Sequence, residues 1–241
     1  MQQYRVMALA VAIPAVLAMP LAQAAEREPG FDGSASMGYV GTSGNTDTQT
    51  FDTQIRMTLR TESGWVHGGR FQALFSEQDS QTSGERYMLE NKSDYRLGDR
   101  GYVFGQANYT DDRFTGFDYQ ASVATGYGHY LFNTDEQLLE LYAGAGYRYN
   151  AYRDASDEGE VILSLGQNLE WALGGSTTLE QSLRSEIGDE LTVSRFEVAL
   201  VSNIIGQLST KIAFQARHIS DVPVGRKKTD TQTSISLVYD F

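Results

Sequence analysis

Along most of this chain, apolar and polar residues change places at every step. In residues 50–60, Phe51, Ile55, Met57 and Leu59 share one face, and Asp52, Gln54, Arg56, Thr58 and Arg60 share the other. In residues 86–97, Tyr87, Leu89, Tyr95 and Leu97 oppose Arg86, Glu90, Lys92, Asp94 and Arg96. Leu139, Leu141, Ala143, Ala145, Tyr147 and Tyr149 align in the same way. So do Val161, Leu163, Leu165, Leu169 and Trp171 against Ser164, Gly166, Asn168 and Glu170, and Phe196, Val198, Leu200 and Ile204 against Arg195, Glu197 and Asn203. A period of two marks a strand with one apolar face. Residues 101–110 are ambiguous, because Tyr102 and Phe104 compete with Val103 and Tyr109 for that face.

The connections alternate too. Short turns ("ESGW", "LGDRG", "NTDE", "LGGST", "IGQL") take turns with longer, acidic or Gly-rich loops ("GTSGNTD", "SEQDSQTSGE", "TDDRFTGF", "YRDASDEGE", "EIGDEL", "SDVPVGRKKTD"). Short periplasmic turns and longer outside loops are the asymmetry of an outer-membrane barrel. The spacing predicts an all-β fold: a single transmembrane, antiparallel, up-and-down β-barrel of about 12 strands, with both termini on the periplasmic side.

The first residues agree with export. Arg5, an apolar run from Val6 to Leu21 and the small-x-small step Ala22-Gln23-Ala24 read as a secretory signal peptide. We therefore expect a signal peptide over residues 1–24 and a barrel over 25–241. No later stretch approaches the roughly 20 apolar residues of a membrane helix. There is no cysteine, so no disulfide supports the exported chain. Prolines number 4 and tyrosines 14, a balance that suits long strands and membrane interfaces. The net charge of -12 argues against nucleic acid as a partner. A secreted β-sandwich or lipocalin-like barrel is the soluble alternative, but its strands would be shorter and its turns richer in proline.

On the barrel reading the polar faces line the lumen, where charges of both signs neutralise one another. Arg56, Arg86, Glu90, Lys92, Asp94 and Arg96 are the expected lumen residues. The last strand carries Ile235, Leu237, Tyr239 and Phe241 at alternate positions and stops on the aromatic. This ending resembles the C-terminal signal read by the barrel-assembly machinery of Gram-negative outer membranes. An exposed strand edge with an aromatic anchor is suited to β-augmentation.

Two stretches carry a more specific resemblance. "GSASMGYVGTSGNTDTQTFDTQIRM", with Gly44-Asn45-Thr46, and "VPVGRKKTDTQTSISLVYDF", with Lys228-Thr229-Asp230-Thr231, resemble the YdiY-like family of salt-induced outer membrane proteins. The resemblance implies a barrel in the outer membrane of a Gram-negative bacterium, linked to salt or osmotic stress, and brings no catalytic residues. Asn45 also has a plain explanation as turn chemistry, since Gly and Asn tolerate positive φ.

Little else points to chemistry. His67, His129 and His218 lack metal-ligand spacing, so no metal site and no cofactor are expected. Asp154, Asp157, Glu158 and Glu160 lack the spacing of a calcium loop and read as a solvated acidic loop. Arg226, Lys227 and Lys228 are a basic cluster for lipopolysaccharide phosphate, or simply solvated. His218 and Ser220 share a face near the outer rim, similar to the base and nucleophile of outer-membrane lipid A deacylases. Here Asp221 follows the serine where those enzymes usually have Asn, and no carboxylate orients His218. The favoured function is a non-enzymatic barrel that is structural or passes small solutes through a restricted lumen. The alternative is an acyl hydrolase using His218 and Ser220. The expected partners are the assembly machinery, outer-membrane lipid and lipopolysaccharide.

Overall fold

The computed structural model describes residues 28–42, 48–79, 81–153, 155–222 and 227–241. The expected signal peptide and the Gly44-Asn45-Thr46 loop lie outside them. The described residues form twelve strands: β1 (Gly30–Thr42), β2 (Thr48–Arg60), β3 (Trp65–Gln78), β4 (Gln81–Arg96), β5 (Gly101–Asp112), β6 (Phe117–Asn133), β7 (Gln137–Tyr152), β8 (Glu158–Gly174), β9 (Thr177–Ile187), β10 (Thr192–Ile205), β11 (Leu208–Ile219) and β12 (Thr229–Asp240). Each strand pairs antiparallel with its sequence neighbours, and β1 pairs with β12 to close the barrel. Closure leaves no open edge, so backbone groups can pair throughout the wall.

The period-two pattern becomes two surfaces. Leu89, Val123, Leu141, Val161, Leu163, Ile212 and Leu237 are exposed on the outside. Asp52, Gln54, Gln106, Asn108, Glu140, Arg148, Ser164, Glu197 and Lys211 are buried inside. Exposed aromatics gather at both rims of the outer wall. Phe31, Trp65, Tyr95, Trp171, Tyr239 and Phe241 ring the end that carries the termini, and Tyr39, Phe75, Tyr109 and Tyr149 ring the far end. An apolar band between aromatic girdles is the exterior that a bilayer requires.

Two details differ from the sequence reading. Most of "SEQDSQTSGE", expected as a loop, is strand: β3 runs to Gln78 and β4 restarts at Gln81, with a register shift at Ser76/Glu77 and Asp79 at a φ of 49°. Polar side chains do not end a strand when the ladder can continue beyond the apolar band. The ambiguity in β5 also resolves. Tyr102 and Phe104 turn inward, 0% and 3% exposed, while Val103 and Tyr109 face out. Glycines make room for the inner rings. Tyr102 lies opposite Gly128, where a Cβ would sit 2.0 Å from its ring. Tyr142 lies opposite Gly166 with the same 2.0 Å approach.

The closing seam runs from Ser34↔Asp240 to Gly38↔Ser236. Phe241 extends it, since its amide and carbonyl exchange 2.8 Å hydrogen bonds with Gly33. Its ring lies over Gly33, where a Cβ would come within 2.3 Å, and 6.3 Å from the ring of Phe31.

Two predictions follow from the wall and the seam. Leu89→Arg places a charge on the outer face near the middle of β4 and should cost about 2–4 kcal/mol, read by urea unfolding in lipid vesicles; a cost near zero would mean that this face does not meet lipid. Phe241→Ala keeps the backbone pair to Gly33 but loses the ring contacts, for roughly 1 kcal/mol. Deleting Phe241 removes both and should cost more. Equal stability of all three chains would show that the seam gains nothing from its last residue.

Candidate functional site

The inner faces of the strands meet in a lumen too narrow to keep their charges apart. Arg56 on β2 donates to Glu180 on β9 at 3.1 Å and to Glu197 on β10 at 3.2 Å. Arg86 reaches Gln232 at 3.4 Å and Asp112 at 3.9 Å. Glu90 accepts from Arg70 at 2.6 Å and from Arg184 at 2.8 Å. Lys92 meets Asp94 at 3.2 Å, Glu140 at 3.4 Å and the Tyr102 hydroxyl at 3.0 Å, and stands 4.5 Å over the Tyr102 ring. Arg96 is half-buried near the terminal mouth. Several of these bonds cross the lumen, because β4 and β9, like β5 and β11, occupy opposite walls of the ring.

The partners on distant strands carried no sequence signal, since those strands come together only on closure. Glu197 is the main hub. It accepts from Lys211 at 2.7 Å, Arg56 at 3.2 Å and Gln215 at 3.2 Å, and lies 3.5 Å from Arg70. Arg217 on β11 spans to Asp112 on β5 at 3.0 Å and Gln120 on β6 at 2.7 Å. Arg148, 1% exposed, holds Glu160 at 2.6 Å and donates to the carbonyls of Glu186 and Leu191. That draws residues 188–191 inward. Leu191 then packs with Phe117, Val193 and Ile219 in an apolar cluster that narrows the far mouth. Tyr102, Phe104 and Tyr142, with Tyr130, form a second cluster toward the terminal mouth.

Two sizeable cavities remain among the described lumen residues. One of about 300 Å³ opens toward the far mouth, past Ser76, Ser83 and Thr115. The other, about 370 Å³, opens toward the terminal mouth, past Val66, Leu138 and Glu170. Arg70, Ser182, Arg195 and Glu197 line both, so the two halves of the lumen meet at this charged waist.

Of the other candidate residues, Glu160, expected in a solvated loop, is instead buried on β8 against Arg148, because the inward face of that strand begins there. The remaining described ones lie outside the lumen. His218 is exposed on the outer face, with Nδ1 2.8 Å from the Thr229 hydroxyl. The Ser220 hydroxyl accepts from the Thr192 amide at 2.8 Å, and its carbonyl accepts from Lys228. Base and nucleophile are thus engaged by different partners rather than by each other. Asp157 accepts from the Tyr149 hydroxyl at 2.7 Å and the Tyr152 amide at 3.2 Å, a turn-closing role. Asp154 and Arg226 fall outside the described residues, and Lys227 and Lys228 are exposed at the far rim. Ile235, Leu237, Tyr239 and Phe241 all point outward. No cluster of three or more potential metal ligands occurs among the described residues.

Comparison with known proteins places this architecture. The uncharacterized protein YdiY of Escherichia coli K12 is 28% identical over 213 residues, covering 88% of this chain and 83% of that one. Among solved structures, the barrel is similar to the COG4313 outer membrane channel of Pseudomonas putida F1, with a TM-score of 0.52 at 12% identity over 93% of this chain and 100% of that one. It is similar also to the NanC porin, with a TM-score of 0.52 at 11% identity over 86% of this chain and 98% of that one. These low identities speak to the fold alone. The family described as "Protein of unknown function, DUF481" matches residues 35–241, and the chain belongs to that family.

Proposed function

We propose that this protein is an outer-membrane channel with a narrow lumen braced by charge, which passes ions and small solutes and serves adaptation to salt or osmotic stress without enzymatic activity. The observation that carries this reading is the waist. Two cavities, one toward each mouth, are both lined by Arg70, Ser182, Arg195 and Glu197. The likeness to a channel and a porin supports the same architecture. The stress role follows from the resemblance to salt-induced outer membrane proteins, and it has a physical counterpart. Arg56 and Glu180 are 35% and 29% exposed, so lumen electrolyte can screen their pair. In this reading the outward residues of β12 present the strand to the assembly machinery, and Lys227 and Lys228 meet lipopolysaccharide phosphates.

Planar-bilayer recording of the refolded protein tests the channel. The wild type should show small, weakly selective unit currents. Glu197→Gln releases Arg56, Arg70 and Lys211 from their common partner, so the waist should loosen. Unit conductance should then rise by roughly 2- to 5-fold, a barrier change of about 0.4–1 kcal/mol. Currents as large as those of an open general porin in the wild type, or none in either protein, would end this reading.

A further inference from the structure

Inward rows that cross the sheet mostly set opposite charges or neutral polar groups side by side. Arg86 lies opposite Asp112, Arg70 opposite Glu90, and Arg148 opposite Glu160. One row does the reverse over three strands. Arg184 on β9 lies opposite Arg195 on β10, which lies opposite Arg217 on β11. Like charges directly across a ladder repel. Arg56 and Arg70 also face each other, but each meets carboxylates.

In the three-arginine row the outer members are compensated from the opposite wall. Arg184 has Glu90 at 2.8 Å and Asn108 at 2.7 Å, and Arg217 has Asp112 at 3.0 Å. Arg195, in the centre, has only the Thr110 hydroxyl at 3.3 Å, and among the described residues no carboxylate lies within ion-pair distance of it. Its Nε is buried without a hydrogen-bond partner, and so are Arg86 Nε, Arg217 Nε and Gln232 Nε2. All four residues line the far cavity. The acids along that cavity are already committed or peripheral. Asp112 is shared by Arg86 and Arg217, Glu197 by Lys211 and Arg56, and Glu85 holds Arg113 at the rim. Asp230, opposite Arg217, is exposed at the mouth. Arg86 and Arg217 therefore share one inward carboxylate, and Arg195 between them pairs with none, beside donors that have nothing to donate to.

We propose that this row is an anion-binding site, in which Arg195, flanked by Arg86 and Arg217, takes the carboxylate or phosphate group of a small solute entering from the far mouth. An oxyanion would relieve the repulsion along the row. The guanidinium fork fits either group, and planar, charge-assisted contacts are strong. A cavity of about 300 Å³ limits the ligand to a small one. The site deepens the channel reading by naming the charge of its solute, and it depends on that reading only for where the solute goes next.

The test is calorimetric titration of the refolded full chain at low salt, with inorganic phosphate and, separately, with glucuronate. Saturable binding of at least one is expected, and which one binds distinguishes a phosphate from a carboxylate solute. Arg195→Gln removes one charged donor set and should weaken binding by about tenfold or more. Arg195→Lys, which keeps the charge without the fork, should fall between. Arg60→Gln, paired with Asp32 near the terminal mouth, should bind like the wild type. The ligand should also raise the unfolding midpoint of the wild type more than that of Arg195→Gln. No saturable binding of either ligand, or equal binding by wild type and both Arg195 variants, would overturn the site. Binding without ion conduction in bilayers would uphold the site and remove the channel. Conduction that prefers cations equally in wild type and Arg195→Gln, with no binding, would do the opposite.

Discussion

Everything in this molecule depends on closing one sheet. Hydrocarbon offers no partner for a free amide or carbonyl, so a strand edge left open in a bilayer is untenable. The pairing that removes the edge is that of β1 with β12, the two ends of the chain. It is also a short seam, continued past the last strand residue by the reciprocal bonds of Phe241 and Gly33. A terminal aromatic over a glycine thus has a role in the finished barrel. The ring covers backbone that glycine leaves bare, at the rim where aromatics are favoured.

Closure fixes the size of the interior, and size dictates its chemistry. A ring of twelve strands brings opposite walls within reach of long side chains, so arginines on one wall find carboxylates on the other. Where rings point inward, the wall must recede. Glycine is placed opposite Tyr102 and Tyr142 because no other residue would let those rings lie against the sheet. Glycine is likewise placed where chain direction reverses in two residues, as at Gly175 and Gly206 with φ of 63° and 57°. These four glycines therefore answer two local needs, turning and close approach.

How much of this the sequence discloses follows from the range of each interaction. Faces were legible because side-chain alternation is local. Arg56, Glu90 and Lys92 are assigned to the interior from their neighbours alone. The strand number and the antiparallel order were legible because each connection is short. Three features were not. Residues 76–78 and 81–85 read as a loop because they are polar, yet the β3–β4 ladder carries them as strand beyond the apolar band. Tyr102 and Phe104 read ambiguously because both faces of β5 are partly apolar, and the glycines of β6 and β7 against their rings decide between them. The partners of the lumen charges were out of reach for a different reason. That Arg217 should meet Asp112 depends on β5 and β11 standing opposite each other, which is a property of the closed ring and of no segment within it.

The composition of the lumen bears on what it is for. Buried ion pairs are often no more stabilising than well-packed apolar residues of the same volume. This chain can fill its interior with apolar residues and does so twice, with Phe117, Leu191, Val193 and Ile219 at the far mouth and with Tyr102, Phe104 and Tyr142 toward the other. Both clusters sit to the side of the cavities and leave the middle to charge. Stability alone gives no reason for that division. A solid plug would be better made by extending the two clusters until they met. Charges that can be screened, hydrated and re-paired are what a passage for ions needs at its narrowest point. Keeping Arg70, Arg195 and Glu197 at the waist, between two apolar clusters that could have been joined, therefore favours a restricted channel over a sealed barrel.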